Sequence, residues 1–224
     1  MIIITGGSSG LGKAISVYLR SRGEKVITLS RRINSEDSEH FSCDISNYDS
    51  IKKVYFEIRN KGSEIKALIN CAGIASMNLA LTTPPQVTEN IIKTNLIGTI
   101  YCNQIFSPLL IKNKNGRIIN FSTIAVNLAL KGESVYVASK AGVENFSRVL
   151  AKELSPFVTV NCIAPGPIRT NLLKGLTDNQ IKSIVDKQII KKEMTTKSII
   201  DIVEILLSKS SKNISGQVIN VGGY

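Results

Sequence analysis

The sequence predicts an α/β protein built on a doubly wound parallel sheet of about seven strands, with helices on both faces. Three observations predict it. Short apolar runs alternate with longer segments whose apolar residues recur at helical spacing, from "MIIIT" to "GQVINV". The central runs, such as "KALIN" and "GRIINF", are nearly unbroken apolar stretches, as in strands buried on both faces. A glycine cluster, "TGGSSGLG", joins the first apolar run to the first helical segment, where α/β proteins bind phosphates. The 224 residues show no linker, repeat or low-complexity stretch, so 1–224 is expected to form one domain with a large core.

Residues 2–5 read as a buried strand and 12–22 as a helix with Leu11, Ile15 and Leu19 on one face, stopped by Gly23. "KVITLS" is a second strand, 30–40 a short polar loop, and "HFSCDIS" holds a brief third strand. Residues 47–61 are helical, with Ile51, Val54, Tyr55 and Ile58 at helical spacing, and "IKALINCAG" is a fourth strand. One long helix is expected over 87–112, bent or ended near its last turns by Pro108. "GRIINFST" is the fifth strand, 134–154 a second long helix and "FVTVNCIAPG" the sixth strand. A mobile, polar segment with helical pieces is expected over 168–192, then a helix over 195–207 and the last strand, "GQVINV".

Composition narrows the chemistry. No run of about 18 apolar residues exists, so no membrane span or membrane partner is expected. "MIII" is too short for a signal peptide's apolar region, which places the chain in the cytoplasm. Cys43, Cys71, Cys102 and Cys162 are scattered and read as reduced thiols. With these and a single histidine, His40, no metal site is expected, and a Ser-His-Asp hydrolase is disfavoured. The net charge of +11 is spread along the chain without aromatic interleaving, so it reads as a lysine-rich solvated surface and no nucleic-acid partner is expected.

Two phosphate loops compete for the glycine cluster. Gly7 to Lys13 fits the start of a nucleoside-triphosphatase loop, but Ala14 stands where a magnesium-holding Ser or Thr is needed. Gly6, Gly10 and Gly12 fit a dinucleotide turn of Rossmann type, in which the backbone approaches a pyrophosphate at a helix N-terminus. At the end of the second strand an acid would select the 2′-hydroxyl cofactor; Arg31 and Arg32 stand there instead. Arg31 can pair with a 2′-phosphate, so NADP(H) is preferred.

Downstream, "YVASK" puts Tyr136 and Lys140 one turn apart on one helix face. A nearby ammonium stabilises phenolate, which would lower the tyrosine pKa and suit it to exchange a proton with a carbonyl oxygen.

The set "TGGSSGLG", "NCAG", "TNLIG", "YVASK" and "APGPIRT" resembles the short-chain dehydrogenase/reductase family, of the classical type, along essentially the whole chain. Within it, the likeness is greatest to bacterial 3-oxoacyl-[acyl-carrier-protein] reductases. The resemblance implies an NADP(H)-dependent oxidoreductase that moves a hydride between the nicotinamide and a ketone or secondary alcohol. It implies that Gly6, Ser8, Ser9, Gly10, Leu11 and Gly12 line the pyrophosphate and that Asp44 and Ile45 meet the adenine. Asn70, Ala72 and Gly73 would support the sheet and pass beside the cofactor. Lys140 would bind the nicotinamide ribose beside Tyr136. Asn95 would interrupt its helix to hold a water in a proton relay. Pro165, Gly166 and Ile168 would pack on the nicotinamide, with Thr170 on its carboxamide and a substrate lid over 168–192.

Two departures from the family stand out. Its catalytic serine position, thirteen before the tyrosine, is Thr123, with Ser122 just before it. Strand alternation sends these neighbours to opposite faces, and threonine keeps the hydroxyl donor with a stiffer χ1. The 30–40 connection lacks the family's usual helix. The substrate class is expected to be a small-molecule or acyl-carrier-bound carbonyl. Positive charge would attract an acidic carrier protein, and Lys114 is a docking candidate. Sugar, steroid or small-ketone substrates, or a non-catalytic dinucleotide sensor, are the alternatives. The 87–112 and 134–154 helices carry apolar residues beyond one core-facing stripe, such as Val143, Phe146 and Val149 beside Ala141 and Leu150. The resemblance implies that both helices pair with their copies in a neighbouring subunit, so a homotetramer is expected, with a dimer as runner-up.

Overall fold

Seven parallel strands form one sheet in the order β3-β2-β1-β4-β5-β6-β7 in the computed structural model, which describes residues 1–32, 39–62 and 64–224. The strands are β1 (Ile2–Thr5), β2 (Val26–Ser30), β3 (His40–Ser42), β4 (Ala67–Asn70), β5 (Gly116–Phe121), β6 (Val158–Pro165) and β7 (Val218–Val221). Ile2 to Thr5 pair with Val26 to Leu29 on one side and with Ala67 to Asn70 on the other. The order reverses direction at the β1/β4 pair, and ligands of such sheets bind at that switch, beyond the strands' carboxyl ends. All four residues of β1 and of β4 are buried, as their unbroken apolar character predicts.

The helices are α1 (Gly10–Ser21), α2 (Tyr48–Asn60), α3 (Pro85–Ile92), α4 (Gly98–Asn113), α5 (Ala125–Leu128), α6 (Ser134–Glu153), α7 (Asp178–Val185) and α8 (Thr196–Leu207). Ile51 and Ile58 of α2, Phe106 and Leu110 of α4 and Leu150 of α6 pack into the core on one face of the sheet. Ile15 and Leu19 of α1 pack with Ile199, Val203 and Leu206 of α8 on the other. The Asn47 side chain accepts from the Ser50 N–H and caps α2, while Gly23 follows α1 at φ +83°. His40 lies on edge strand β3, its ring nitrogens against the Thr28 and Ser30 hydroxyls. The expected polar loop at 30–40 falls largely outside the described residues.

The long helix expected over 87–112 differs from a regular one. A π-helical turn, Lys93–Ile97, joins α3 to α4, and Pro108 lies inside α4 without ending it. A polar stripe is buried along the same helix. The Thr99 and Ser107 hydroxyls and the Asn103 amide each donate to the carbonyl four residues back, at 2.5–2.7 Å. Those bonds satisfy the stripe's donors as it faces the core, while the buried Asn103 Oδ1 has no hydrogen-bond partner. On α6, Val143 and Leu150 belong to the chain's own core, so only Val149 of the expected outward set is strongly exposed.

Candidate active site

A cavity of about 960 Å³ opens over the carboxyl ends of the strands, from the tips of β2 and β3 to the far side of β5 and β6. Every site residue expected from the sequence lines it except Asn70 and Asn95. The volume lies at the upper end for ligand sites, which run to about 1,000 Å³.

The turn after β1 is shaped by its glycines. Gly6 and Gly10 have φ of +74° and +53°, where other residues are strained. A Cβ on Gly12 would stand 2.5 Å from the Gly6 carbonyl oxygen. Such packing brings backbone alone to the cavity wall. Helix α1 begins at Gly10, and its N-cap Ser9 makes no side-chain capping bond, so the first N–H groups keep no side-chain acceptor. A cradle of bare backbone at a helix N-terminus fits the pyrophosphate of a dinucleotide. At the β2 end of the cavity Arg31 and Arg32 are exposed. Asp44, beyond β3, holds the Ser46 N–H and hydroxyl on its Oδ1.

On the other side of the turn, β5 ends and the chain presents two neighbouring hydroxyls in opposite directions. Ser122 Oγ donates to Glu144 Oε1 at 2.6 Å in the protein interior. The Thr123 hydroxyl accepts from the Ala125 N–H at 3.2 Å and lies on the cavity side with Tyr136, whose phenolate it favours. The two hydroxyls thus point apart, as strand alternation predicts. One turn along α6, the buried Lys140 Nζ donates to the Phe121 carbonyl at 2.9 Å.

The electrostatics correct one expectation. Tyr136 is held above, not below, the ordinary tyrosine value, by burial first and by the Glu133 charge second; the Thr123 hydroxyl only partly opposes them. Burial likewise lowers Lys140. Desolvation dominates both groups because each lies buried in the wall of a deep cleft. Cys71, also in the cavity wall, is pushed up to about 12 by burial, so it is a thiol and not a nucleophile.

Asn70 and Asn95 work from behind the cavity. The Asn70 amide donates to Asn120 Oδ1 at 2.8 Å inside the sheet. Asn95, in the π-helical turn, accepts from the Ile74 N–H at 2.8 Å and donates to the Ile74 carbonyl at 2.9 Å and to Ser139 Oγ at 3.1 Å. Gly73 fits between Asn95 and Lys140, since a Cβ there would lie 3.3 Å from Asn95 Oδ1 and from Lys140 Nζ.

The 165–168 turn is tied on three sides. The Gly166 N–H donates to Val221, the Ile124 N–H to Pro165 and the Met194 N–H to Pro167. Beyond Thr170, a short 3₁₀ turn (Asn171–Leu173) and α7 close over the cavity, with Leu172, Leu176 and Ile184 among its lining residues. Arg169 pairs with Glu193 and Asp178, joining the two ends of this segment.

Sequence reasoning missed Glu133, Leu130 and Met77, which line the cavity near Tyr136 or opposite it. Glu133 stands three residues before Tyr136, and that spacing alone places it on the tyrosine's side of α6. Lys114, the docking candidate, lies away from the cavity. It precedes β5, whose far end reaches the cavity, so it sits roughly 20 Å away at the opposite edge of the sheet, by the rise of six strand residues.

The short chain dehydrogenase family profile matches residues 1–181. The 3-oxoacyl-[acyl-carrier-protein] reductase FabG of Buchnera aphidicola subsp. Schizaphis graminum is 34% identical over 231 residues, covering 99% of this chain and 95% of that protein. Ligand-free aldohexose dehydrogenase of Thermoplasma acidophilum superposes with a TM-score of 0.90 at 27% identity, covering 99% of this chain and 92% of the other. A 4-hydroxyisoleucine dehydrogenase complexed with NADH and succinate superposes at 0.89 with 25% identity, covering 100% and 98%.

Proposed function

The chain belongs to the short-chain dehydrogenase/reductase family and is an oxidoreductase dependent on a nicotinamide dinucleotide; we propose that it uses NADP(H) to interconvert a ketone and a secondary alcohol. The observation that carries this reading is the gathering of Thr123, Tyr136 and, one turn on, Lys140 in one cleft walled by the bare glycine turn.

Bound in that cleft, the nicotinamide supplies or accepts the hydride. The chain's own residues do the rest. Thr123 donates a hydrogen bond to the substrate oxygen and polarises the carbonyl. Tyr136 gives that oxygen a proton in reduction and takes one back in oxidation. Because burial keeps the phenol protonated, it is ready as an acid at neutral pH. Lys140, one turn from Tyr136, would hold the ribose hydroxyls of a bound dinucleotide, and Asn95 fixes the Ile74 backbone that lines the same cavity. Arg31 and Arg32, at the β2 tip, support NADP(H) over NAD(H), as a guanidinium pairs with a 2′-phosphate.

For the substrate, the FabG relative supports a 3-oxoacyl thioester on an acidic carrier, which a net charge of +11 would attract. The carboxylate of Glu133 inside the cavity favours a second reading, a hydroxylated carbonyl. Exposed Val149 and Phe157 support assembly into a homotetramer, with a dimer as runner-up. The test is NADPH consumption against a panel of 3-oxoacyl thioesters, hydroxyketones, keto-sugars and plain ketones. Consumption with at least one class, and none when Tyr136 is replaced by Phe, is the expected result. No consumption with any class removes the reading.

A further inference from the structure

Glu133 lines the cavity as an acid whose carboxylate has no protein donor among the described residues. It occupies the N-cap position of α6, and its side chain makes no capping bond there. Its backbone is fixed from both sides: its N–H donates to the Leu130 carbonyl at 3.3 Å, and its carbonyl accepts from the Val137 N–H at 2.7 Å. The turn before it is set by Gly132, at φ +86°. The residue is only 9% exposed and lines the cavity. Among the described residues no side chain or backbone N–H bonds its carboxylate. It stands three residues before Tyr136 at the start of α6 and shares the cavity wall with it, and its charge raises the Tyr136 pKa.

The surroundings offer no neutralising partner. Leu130, Met77, Leu176 and Ile184 make this end of the cavity largely apolar. The lining cations Arg31 and Arg32 stand at the β2 end, and Lys140 is bonded to Phe121. A ligand that fills this end of the cavity strips solvent from the carboxylate, which is costly unless the ligand brings a donor in its place. A ligand that presses a methylene against it does not. An ammonium would serve as donor too, but a net charge of +11 repels cations, so a neutral hydroxyl is favoured.

We infer that Glu133 is a specificity-determining residue that accepts a hydrogen bond from a hydroxyl beside the substrate's reacting carbonyl. The enzyme's substrate class is then hydroxyketones and the corresponding diols, ahead of unsubstituted 3-oxoacyl chains. This rests on the ketone/alcohol reading above.

The test compares kcat/KM with NADPH for isosteric pairs in which a hydroxyl replaces a methyl: hydroxyacetone against butanone, and 2-hydroxycyclohexanone against 2-methylcyclohexanone. In the wild type the hydroxylated partner is favoured by about ten- to a hundredfold, the span of one hydrogen bond to a charged group. In Glu133→Leu that ratio falls toward one; in Glu133→Gln, which keeps an acceptor oxygen, part of it returns. A wild-type ratio near one overturns the proposal, as does a ratio unmoved in Glu133→Leu. Preference for aminoacetone over hydroxyacetone overturns the hydroxyl assignment. If Glu133→Leu does not fold, as judged by its circular dichroism melt, the wild-type ratios and the Gln variant decide. Turnover of plain ketones with no hydroxyl preference overturns the role of Glu133 alone; no turnover of any ketone overturns the underlying reading as well.

Discussion

Ser122 and Thr123 are adjacent, carry the same functional group and are predicted to fail in different ways. Ser122→Ala removes a hydroxyl that bonds Glu144 Oε1 at 2.6 Å with both residues buried. A hydrogen bond to a charged group contributes about 1.5–3 kcal/mol to stability. In a domain of this size each kcal/mol moves the midpoint by about 2–4 °C, so the melting temperature should fall by about 3–12 °C. Glu144 keeps Arg148 at 3.8 Å, which places the expected loss toward the lower half of that span. Activity below the transition should change only slightly. Thr123→Val keeps the side chain's shape and removes the donor that faces Tyr136. Its melting temperature should stay close to the wild type, while kcat falls by about a hundredfold or more, as when one polarising donor is lost elsewhere. Thr123→Ser should keep or raise activity, because the hydroxyl remains. The assays are a calorimetric melt and NADPH-linked turnover on the same preparations. A severe kinetic loss in Ser122→Ala with a mild one in Thr123→Val would refute the register and the role together.

Gly12→Ala would put a Cβ 2.5 Å from the Gly6 carbonyl oxygen, a backbone atom that cannot turn aside; fluorescence titration should show dinucleotide affinity lowered by about a hundredfold, two factors of ten at about 1.4 kcal/mol each. Arg31→Asp replaces attraction to a 2′-phosphate with repulsion and should shift preference toward NAD(H), measured as the ratio of the two dissociation constants. Burial and Glu133 hold the proton on Tyr136, and the Thr123 hydroxyl weakens that hold. Alcohol oxidation, which needs the phenolate, should therefore rise with pH through the alkaline range, while ketone reduction stays level through neutrality and falls only at higher pH. In a kcat/KM profile Glu133→Gln should move the oxidation limb to lower pH and Thr123→Val to higher pH.

Much of this site can be read from residue order because its causes are local. The strands show as apolar runs; the glycine turn shows because its tight φ angles admit few other residues. The Tyr136–Lys140 pair follows from helical spacing, and the Ser122/Thr123 register from strand alternation. What escaped has long-range causes. Helical spacing predicts an unbroken helix over 87–112, and only the family resemblance points to an interruption at Asn95; the π-helical turn at 93–97 accompanies Asn95 bonds to Ile74, 21 residues away in sequence. Asn95, Thr99, Asn103 and Ser107 read as a polar helix face, and face the core because Thr99, Asn103 and Ser107 bond back along the helix. The tyrosine pKa turns on how deep the cleft is, which residue spacing does not reveal. Glu133, an acid just ahead of a helix, reads as an ordinary cap; only the folded cavity shows its carboxylate left without a donor.

The central claim is that this cleft transfers a hydride to a carbonyl carbon while Tyr136 supplies the proton. Reduction of an accepted ketone with NADPH carrying deuterium at both hydrogen positions of nicotinamide C4 tests it directly, with the product read by mass spectrometry and NMR. The account predicts one deuterium on the new carbinol carbon and a hydroxyl proton from solvent-exchangeable sources. In Tyr136→Phe, product formation should cease while NADPH still binds with near wild-type affinity, since the glycine turn is untouched. Deuterium absent from the carbinol carbon, or undiminished turnover in Tyr136→Phe, would contradict the account.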